Sequence, residues 1–189
     1  MGKILCFFYQ GMAEFEVTFA FHRLKNVGQK EIVTISYNRE PLQSQSGFIY
    51  LPQATVTEAL TFEDVDALII PGGPITAQQP ELTALIQKLD QEEKLLAAIC
   101  NGPQFLGRAG ILDHHRFTTS CSEEQIRTIG AKDPFPRQNF IKQRVVTDAN
   151  VITATGRAFV DFAFAVFDRL SIFENKTDLA QLLEDVKGN

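Results

Sequence analysis

The sequence predicts an α/β fold, a three-layer sandwich around a mostly parallel central sheet, and three observations carry that reading. Nearly continuous apolar runs at 3–9, 66–71 and 95–99 have the composition of strands buried on both faces. Segments of helical period separate them, and strands alternating with helices build a parallel sheet covered on both sides. Glycine- and proline-rich corners follow the strands, at the sheet end where open α/β folds carry their sites. The chain has 189 residues, 44% hydrophobic and 22% charged. That size and composition suit one globular domain with a single large core, and 1–189 is read as that domain.

In chain order, 3–9 is the first strand and Gln10-Gly11 its turn. A helix over 13–26 follows, with Gly28 at its C-terminal end. Its core stripe is Ala13, Val17, Ala20, Phe21 and Leu24. Strand 31–37 alternates around Ile32, Val33 and Ile35, and 42–51, with Gly47 inside, reads as a small hairpin. A helical turn over 57–62 leads to strand 66–71 and the corner Gly72-Gly73-Pro74. Helix 80–93 turns Leu82, Leu85, Ile86 and Leu89 inward. Strand 95–99 then meets Cys100-Asn-Gly-Pro103 and a helix running to Gly110. A short strand is expected at 116–119. Ser122 opens a helix to Gly130, with Ser122 and Gln125 in capping-box spacing. Strands 142–147 and 151–155 flank the turn Asp148-Ala-Asn150, and Gly156-Arg157 follows. Helices over 158–173 and 177–186 complete the chain. No repeat, linker or low-complexity stretch interrupts it.

Composition excludes several classes. The net charge is −5 and no lysine or arginine cluster occurs, so a nucleic-acid surface is not expected. The start of the chain turns polar too soon for a signal peptide. Asp161 and Asp168 break the apolar C-terminal run, so no membrane span is expected. Cys6, Cys100 and Cys121 are an odd, scattered set without metal-ligand spacing, which suits a reducing cytoplasm and argues against a metal site or disulfides. No cofactor motif is present.

The chemistry centres on Cys100. Strand, sharp turn and helix meet there, with Gly102 permitting the tight corner and Pro103 fitting the first helical turn. Serine at such a corner is a nucleophile elbow, and a cysteine beside a helix start gains thiolate character. A structural cysteine at a strand end has no need of a Gly-Pro corner. On the first helix, Glu16 lies beside the core stripe between Phe15 and Phe19, so its carboxyl is partly desolvated if it is not simply a solvated flank residue. Glu14 lies on the opposite edge near Lys25 and is expected to stay hydrated. Gly72 and Gly73 follow a strand and can aim N–H groups into a cleft, the provision an oxyanion needs. As a bare Gly-Gly-Pro they are also ordinary turn punctuation.

The segments Gly11-Met-Ala-Glu-Phe-Glu16, Ile70-Pro-Gly-Gly73, Ala97-Ala-Ile-Cys-Asn-Gly-Pro103, Phe117-Thr-Thr119 and Val151-Ile-Thr-Ala-Thr-Gly156 together resemble the ThiJ/PfpI superfamily, in the branch of the parkinsonism-associated deglycase. The resemblance spans about 3–173. It implies a flavodoxin-like fold related to class I glutamine amidotransferases and a homodimer. It further implies Cys100 as the elbow cysteine, Glu16 as the acid that hydrogen-bonds the thiol, and Gly73 and Asn101 as oxyanion donors. Gly72 and Ser120 are then expected in the substrate pocket. Because two adjacent anions repel, a protonated Glu16 beside a Cys100 thiolate is expected, their pKa values belonging to the pair.

One departure bears on function. Where many catalytic relatives carry a histidine after Thr118-Thr119, this chain has Ser120. His115 lies five residues, roughly 16 Å of strand, away, and a Cys-His protease dyad is not expected. The leading expectation is a cytoplasmic, cofactor-independent protein of glyoxalase or deglycase type that acts on a small α-oxoaldehyde. The alternatives are a redox-responsive protein that meets an oxidant and forms a Cys100 sulfinate, and a non-enzymatic ligand-binding module. Cys121 is either a resolving thiol or a packed loop residue.

Overall fold

A computed structural model describes residues 2–188. Its centre is a seven-stranded sheet of order β5-β2-β1-β6-β7-β9-β8. The strands are β1 (Lys3–Phe7), β2 (Glu31–Ser36), β5 (Ala54–Thr55), β6 (Val65–Ile70), β7 (Leu95–Ile99), β8 (Val145–Asp148) and β9 (Val151–Ala154). All neighbours are parallel except β8 and β9, which form an antiparallel edge. β3 (Leu42–Gln43) and β4 (Ile49–Tyr50) make a separate hairpin.

Helices cover both faces. α1 (Phe15–Asn26) and α6 (Phe159–Arg169) pack together on one side. α2 (Val56–Ala59), α3 (Pro80–Gln91) and α4 (Pro103–Arg108) form the other layer. α5 (Glu123–Thr128) lies beyond the sheet's carboxyl end, and α7 (Lys176–Lys187) packs on α6. The three-layer, mostly parallel sandwich expected from the alternating pattern is the fold observed. Its physical basis is burial: β7, LLAAI, is buried at all five positions, and Leu82, Leu85, Ile86 and Leu89 of α3 close over one face of the sheet.

The chain winds outward from β1 to β2 and β5, then returns to build β6, β7 and β9 on the other side. The reversal falls between β1 and β6, so the loops after these strands diverge and leave a crevice. The corner after β7 sits one strand away.

Several local expectations shift. The first helix begins at Phe15 rather than Ala13, and Glu14 becomes its N-cap. Glu14 is consequently not hydrated but 4% exposed. The hairpin folds over this helix start, with Gly11 N–H donating to Gln43 O and Gln45 N–H to Met12 O, a long-range contact that a helical wheel does not contain. Residues 116–119 form no strand. Phe117 makes a single parallel bridge to Phe140, and Thr118 N–H donates to the Thr153 hydroxyl instead of to a strand backbone. The two-residue edge strand β5 is not among the expected elements; the others match their expected positions with ends moved by a few residues, the usual fraying of boundaries. No described helix is long and apolar enough to cross a membrane.

Candidate active site

The corner after β7 is built by backbone geometry. Cys100 has φ +61°, a left-handed conformation that few non-glycine residues adopt. It is held on both sides. Cys100 N–H donates to Ala154 O at 2.8 Å, while its carbonyl accepts from Ser120 N–H at 3.0 Å and from the Thr119 hydroxyl at 2.6 Å. Gly102 serves close packing rather than a positive φ. A Cβ there would lie 2.6 Å from Ile70 O and 2.8 Å from both Ile99 O and Pro71 O, so any side chain would strike three backbone oxygens.

Glu16 reaches this corner from α1. Its Oε2 accepts a 2.8 Å hydrogen bond from Gly72 N–H, and its carboxyl hydrogen-bonds the Cys100 thiol. Gly72 and Gly156 must both be small for this to happen. A Cβ on Gly72 would come within 2.4 Å of Glu16 Oε2 and 3.0 Å of Cys100 Sγ, and one on Gly156 within 2.6 Å of Oε1 and 3.0 Å of Sγ. Tyr9 closes the inner side, with its hydroxyl donating to Pro71 O.

Ser120 is oriented by Gly156, whose N–H donates to its hydroxyl oxygen at 2.9 Å. Ser120 and the Asn101 backbone N–H both act to lower the Cys100 pKa. Gly73 stands slightly apart. A Cβ there would meet Tyr9 Oη, Gly11 O and Met12 Cα, and its carbonyl accepts from the Asn101 side chain at 2.8 Å. Cys100, Glu16, Asn101, Gly72 and Ser120 are thus brought to one point, with Gly73 anchored beside them. The thiol opens on a cavity of about 460 Å³ whose other walls include Phe15, Phe159 and Arg157. Sequence reading did not single out Tyr9, Gly156, Phe15 or Phe159 for the site. Only Gly156 left a signal, as a glycine directly after a strand that ends on the same edge of the sheet. Among the described residues no cluster of three metal-binding side chains occurs.

Protonation is governed by burial and by the pairing of two acids. Burial raises the Glu16 pKa, while hydrogen bonds from Cys100 and Gly72 pull the other way without cancelling it. Cys100 is pushed up to about 12, by burial first and by the Glu16 carboxylate second, against the donors Ser120 and Asn101. The thiolate expected from the helix start is therefore not sustained by α4, a helix of six residues. Burial and the neighbouring charge outweigh it, and a thiolate forms here only when Glu16 holds the proton. The Glu16 charge raises the Cys100 pKa, so the two titrations are coupled. Cys6 and Cys121 are both buried. All three thiols are free, and the hydroxyl of Thr119 caps Cys121 N–H in the loop.

A parallel sheet with a cysteine at the β7 corner and an acid from the first helix against it defines a class, the flavodoxin-like proteins with an elbow cysteine. The DJ-1/PfpI family profile matches residues 2–169. A deglycase of Thermococcus kodakarensis is 28% identical over 161 residues, covering 80% of this chain and 89% of the relative. The Parkinson disease protein 7 homolog of Danio rerio is 26% identical over 176 residues, 89% of each. A DJ-1 superfamily protein of Agrobacterium tumefaciens, at 24% identity over the full length of both chains, shares the fold with a TM-score of 0.83. The chain belongs to the DJ-1/PfpI family.

The raised Glu16 pKa has a pH signature. A carboxyl that holds its proton more tightly when folded supplies stability below its unfolded value, near 4.5, and loses it as pH rises through the higher folded value. Glu16→Gln, neutral throughout, loses nothing. In chemical denaturation the variant is expected to gain on the wild type as pH rises from about 4.5 through the raised folded pKa of Glu16. Parallel stability curves across that range would show that Glu16 is not perturbed.

Proposed function

We propose that the chain is a cofactor-independent enzyme of glyoxalase or deglycase type acting on small α-oxoaldehydes, with Cys100 as nucleophile and Glu16 as proton shuttle. The observation that carries this reading is the Glu16 carboxyl set against the Cys100 thiol at the mouth of one small cavity. A buried carboxyl with a raised pKa is suited to take and return protons near neutral pH. The deglycase names of several relatives support the same class.

The steps follow from the geometry. As Sγ bonds the aldehyde carbon, the thiol proton passes to Glu16 and on to the carbonyl oxygen, giving a hemithioacetal. The Asn101 and Gly73 N–H groups supply donors for the transient oxyanion. Glu16 then removes the proton from the sulfur-bearing carbon as that carbon's hydroxyl proton passes to the adjacent ketone oxygen, forming an enediolate. Returning that proton to the second carbon leaves the thioester of a 2-hydroxy acid. Water cleaves the C–S bond, releasing the acid and restoring the thiol. Gly72 gives the substrate room against the pair, and Ser120 borders the pocket as a hydrogen-bond donor.

A second reading is favoured by Ser120 itself. With a hydroxyl and the Asn101 N–H directed at the sulfur and no imidazole beside it, the site is also suited to holding a Cys100 sulfinate formed by an oxidant such as peroxide. Free thiols throughout suit a reducing, cytoplasmic setting. For the homodimer, the β3–β4 hairpin offers the surface. Phe48, Ile49 and Leu51 are each more than 60% exposed beside the helix start that carries Phe15, a contiguous apolar patch of the kind that marks an interface.

Three experiments test these readings. Incubation with methylglyoxal is expected to yield lactate, abolished in Cys100→Ser, retained in Cys6→Ser, and slowed by ~10²–10⁴-fold in Glu16→Gln. Wild type that makes no lactate but gains two oxygen atoms on Cys100 under peroxide, by intact-mass and peptide analysis, would replace the enzyme by the sensor. In sedimentation velocity the wild type is expected as a dimer and Ile49→Glu as a monomer. A monomeric wild type would remove the hairpin interface.

A further inference from the structure

A second concavity, larger than the one at Cys100, lies between the loop after β6 and the α5 segment, with a volume of about 940 Å³. It shares no wall residue with the Cys100 cavity. Pro74, Ile75 and Ala77 form one side, and Ile129 and Ala131 the other. Ile129 is 56% exposed there, a branched apolar side chain facing water with nothing packed on it.

Set into this apolar wall is Arg108, at the end of α4 and partly buried. Its hydrogen bond is from Nη1 to Gln104 Oε1 at 2.9 Å. Gln104 cannot neutralise it. That side chain is a fully buried, uncharged amide, whose oxygen also accepts from Thr76 N–H and whose nitrogen donates to Pro74 O. Among the described residues no carboxylate lies within salt-bridge distance of Arg108. The ionisable groups close enough to act on it are Tyr37 and Cys121, both ordinarily neutral. A half-buried guanidinium without a counter-ion is unfavourable, and burial accordingly lowers its pKa.

We infer that this groove is a binding site for a small amphipathic monocarboxylate, its carboxylate on the Arg108 fork and its apolar body along Ile75 and Ile129. Planar guanidinium matches carboxylate geometry in two parallel hydrogen bonds. Charge selects the class of anion. The other ionised residues of the wall are Lys132 and Glu124, so the groove carries one net positive charge, which suits a monoanion rather than a phosphate. The mainly apolar lining selects a hydrocarbon or aryl body over a sugar or a small hydroxy acid. The groove borders the Cys100 site through Asn101 but includes neither Cys100 nor Glu16.

The test is titration of the whole protein with straight-chain carboxylates from butanoate to decanoate and with 3-phenylpropanoate, followed by calorimetry and by amide chemical shifts. Saturable one-to-one binding is expected for at least the longer or aryl members, with shifts at 74–77, 101 and 122–132. The matching neutral amides should bind at least tenfold more weakly to the wild type. Arg108→Met, which keeps the apolar stem and removes the charge, should lose at least tenfold in affinity, and Cys100→Ser should bind as the wild type does. Absence of saturable binding across the series, equal binding of acid and amide, or shifts confined to the Cys100 cavity would each overturn the proposal. The acid–amide comparison is made on the wild type and decides the matter even if the Arg108 variant fails to fold.

Discussion

The left-handed backbone at Cys100 is the constraint on which the site depends. A non-glycine residue held there costs on the order of 1–3 kcal/mol, and the chain offsets it with three hydrogen bonds to one residue, from Ser120, from Thr119 and to Ala154. At a net ~1 kcal/mol each, these are of the right size to hold the corner. They do more than hold it. Because their partners come from the loop after 116–119 and from the end of β9, the bonds that fix the corner also bring Ser120 and Gly156 against the sulfur. Strain and assembly of the site are one and the same arrangement.

Two acids meet at that point, and their pairing decides what the thiol can do. A cysteine at such a corner could have been activated by a helix start alone, but α4 has six residues and the sulfur is largely withdrawn from water, so desolvation dominates. The carboxyl of Glu16 then turns from an obstacle into the means of activation. While charged it keeps the thiol protonated; on accepting the thiol proton it ceases to repel the thiolate and can return that proton elsewhere. Reactivity in this arrangement is conditional on proton transfer inside the pair, which is the condition that carbonyl addition fulfils.

The architecture was legible in the sequence because burial writes a local pattern: apolar runs for strands with two covered faces, a 3.6 period for the helices over them. The corner was legible for a similar reason, since Asn-Gly-Pro after an apolar run has a steric meaning within six residues. Gly102 was read correctly as a place where no Cβ fits, although the positive φ falls on Cys100 instead. What remained hidden depends on closure between distant segments. Glu14 is buried because a hairpin some thirty residues later folds over it. The hydroxyl of Ser120 is aimed by Gly156, thirty-six residues on. The segment 116–119 has strand composition but lies beside a threonine hydroxyl and a single bridging phenylalanine rather than a strand backbone. No window of sequence contains both partners of any of these contacts.

The replacement of an imidazole by Ser120 has a physical consequence beyond the loss of a base. A hydroxyl whose oxygen already accepts from Gly156 N–H has one proton left to give, and Ser120 acts to lower the Cys100 pKa. Donation stabilises negative charge on the sulfur or on oxygens attached to it, but a serine cannot carry a proton away at neutral pH. In the proposed reaction the proton is therefore carried by Glu16, which has a single direct link to the thiol. Chemistry in which one group takes a proton from a carbon and returns it to the next carbon is compatible with that economy. Peptide hydrolysis, which needs a protonated base to reach a departing amine while the nucleophile remains acylated, is poorly served by it. The same side chain that weakens the case for a protease thus narrows the remaining chemistry to reactions in which the proton never has to leave the pair's reach.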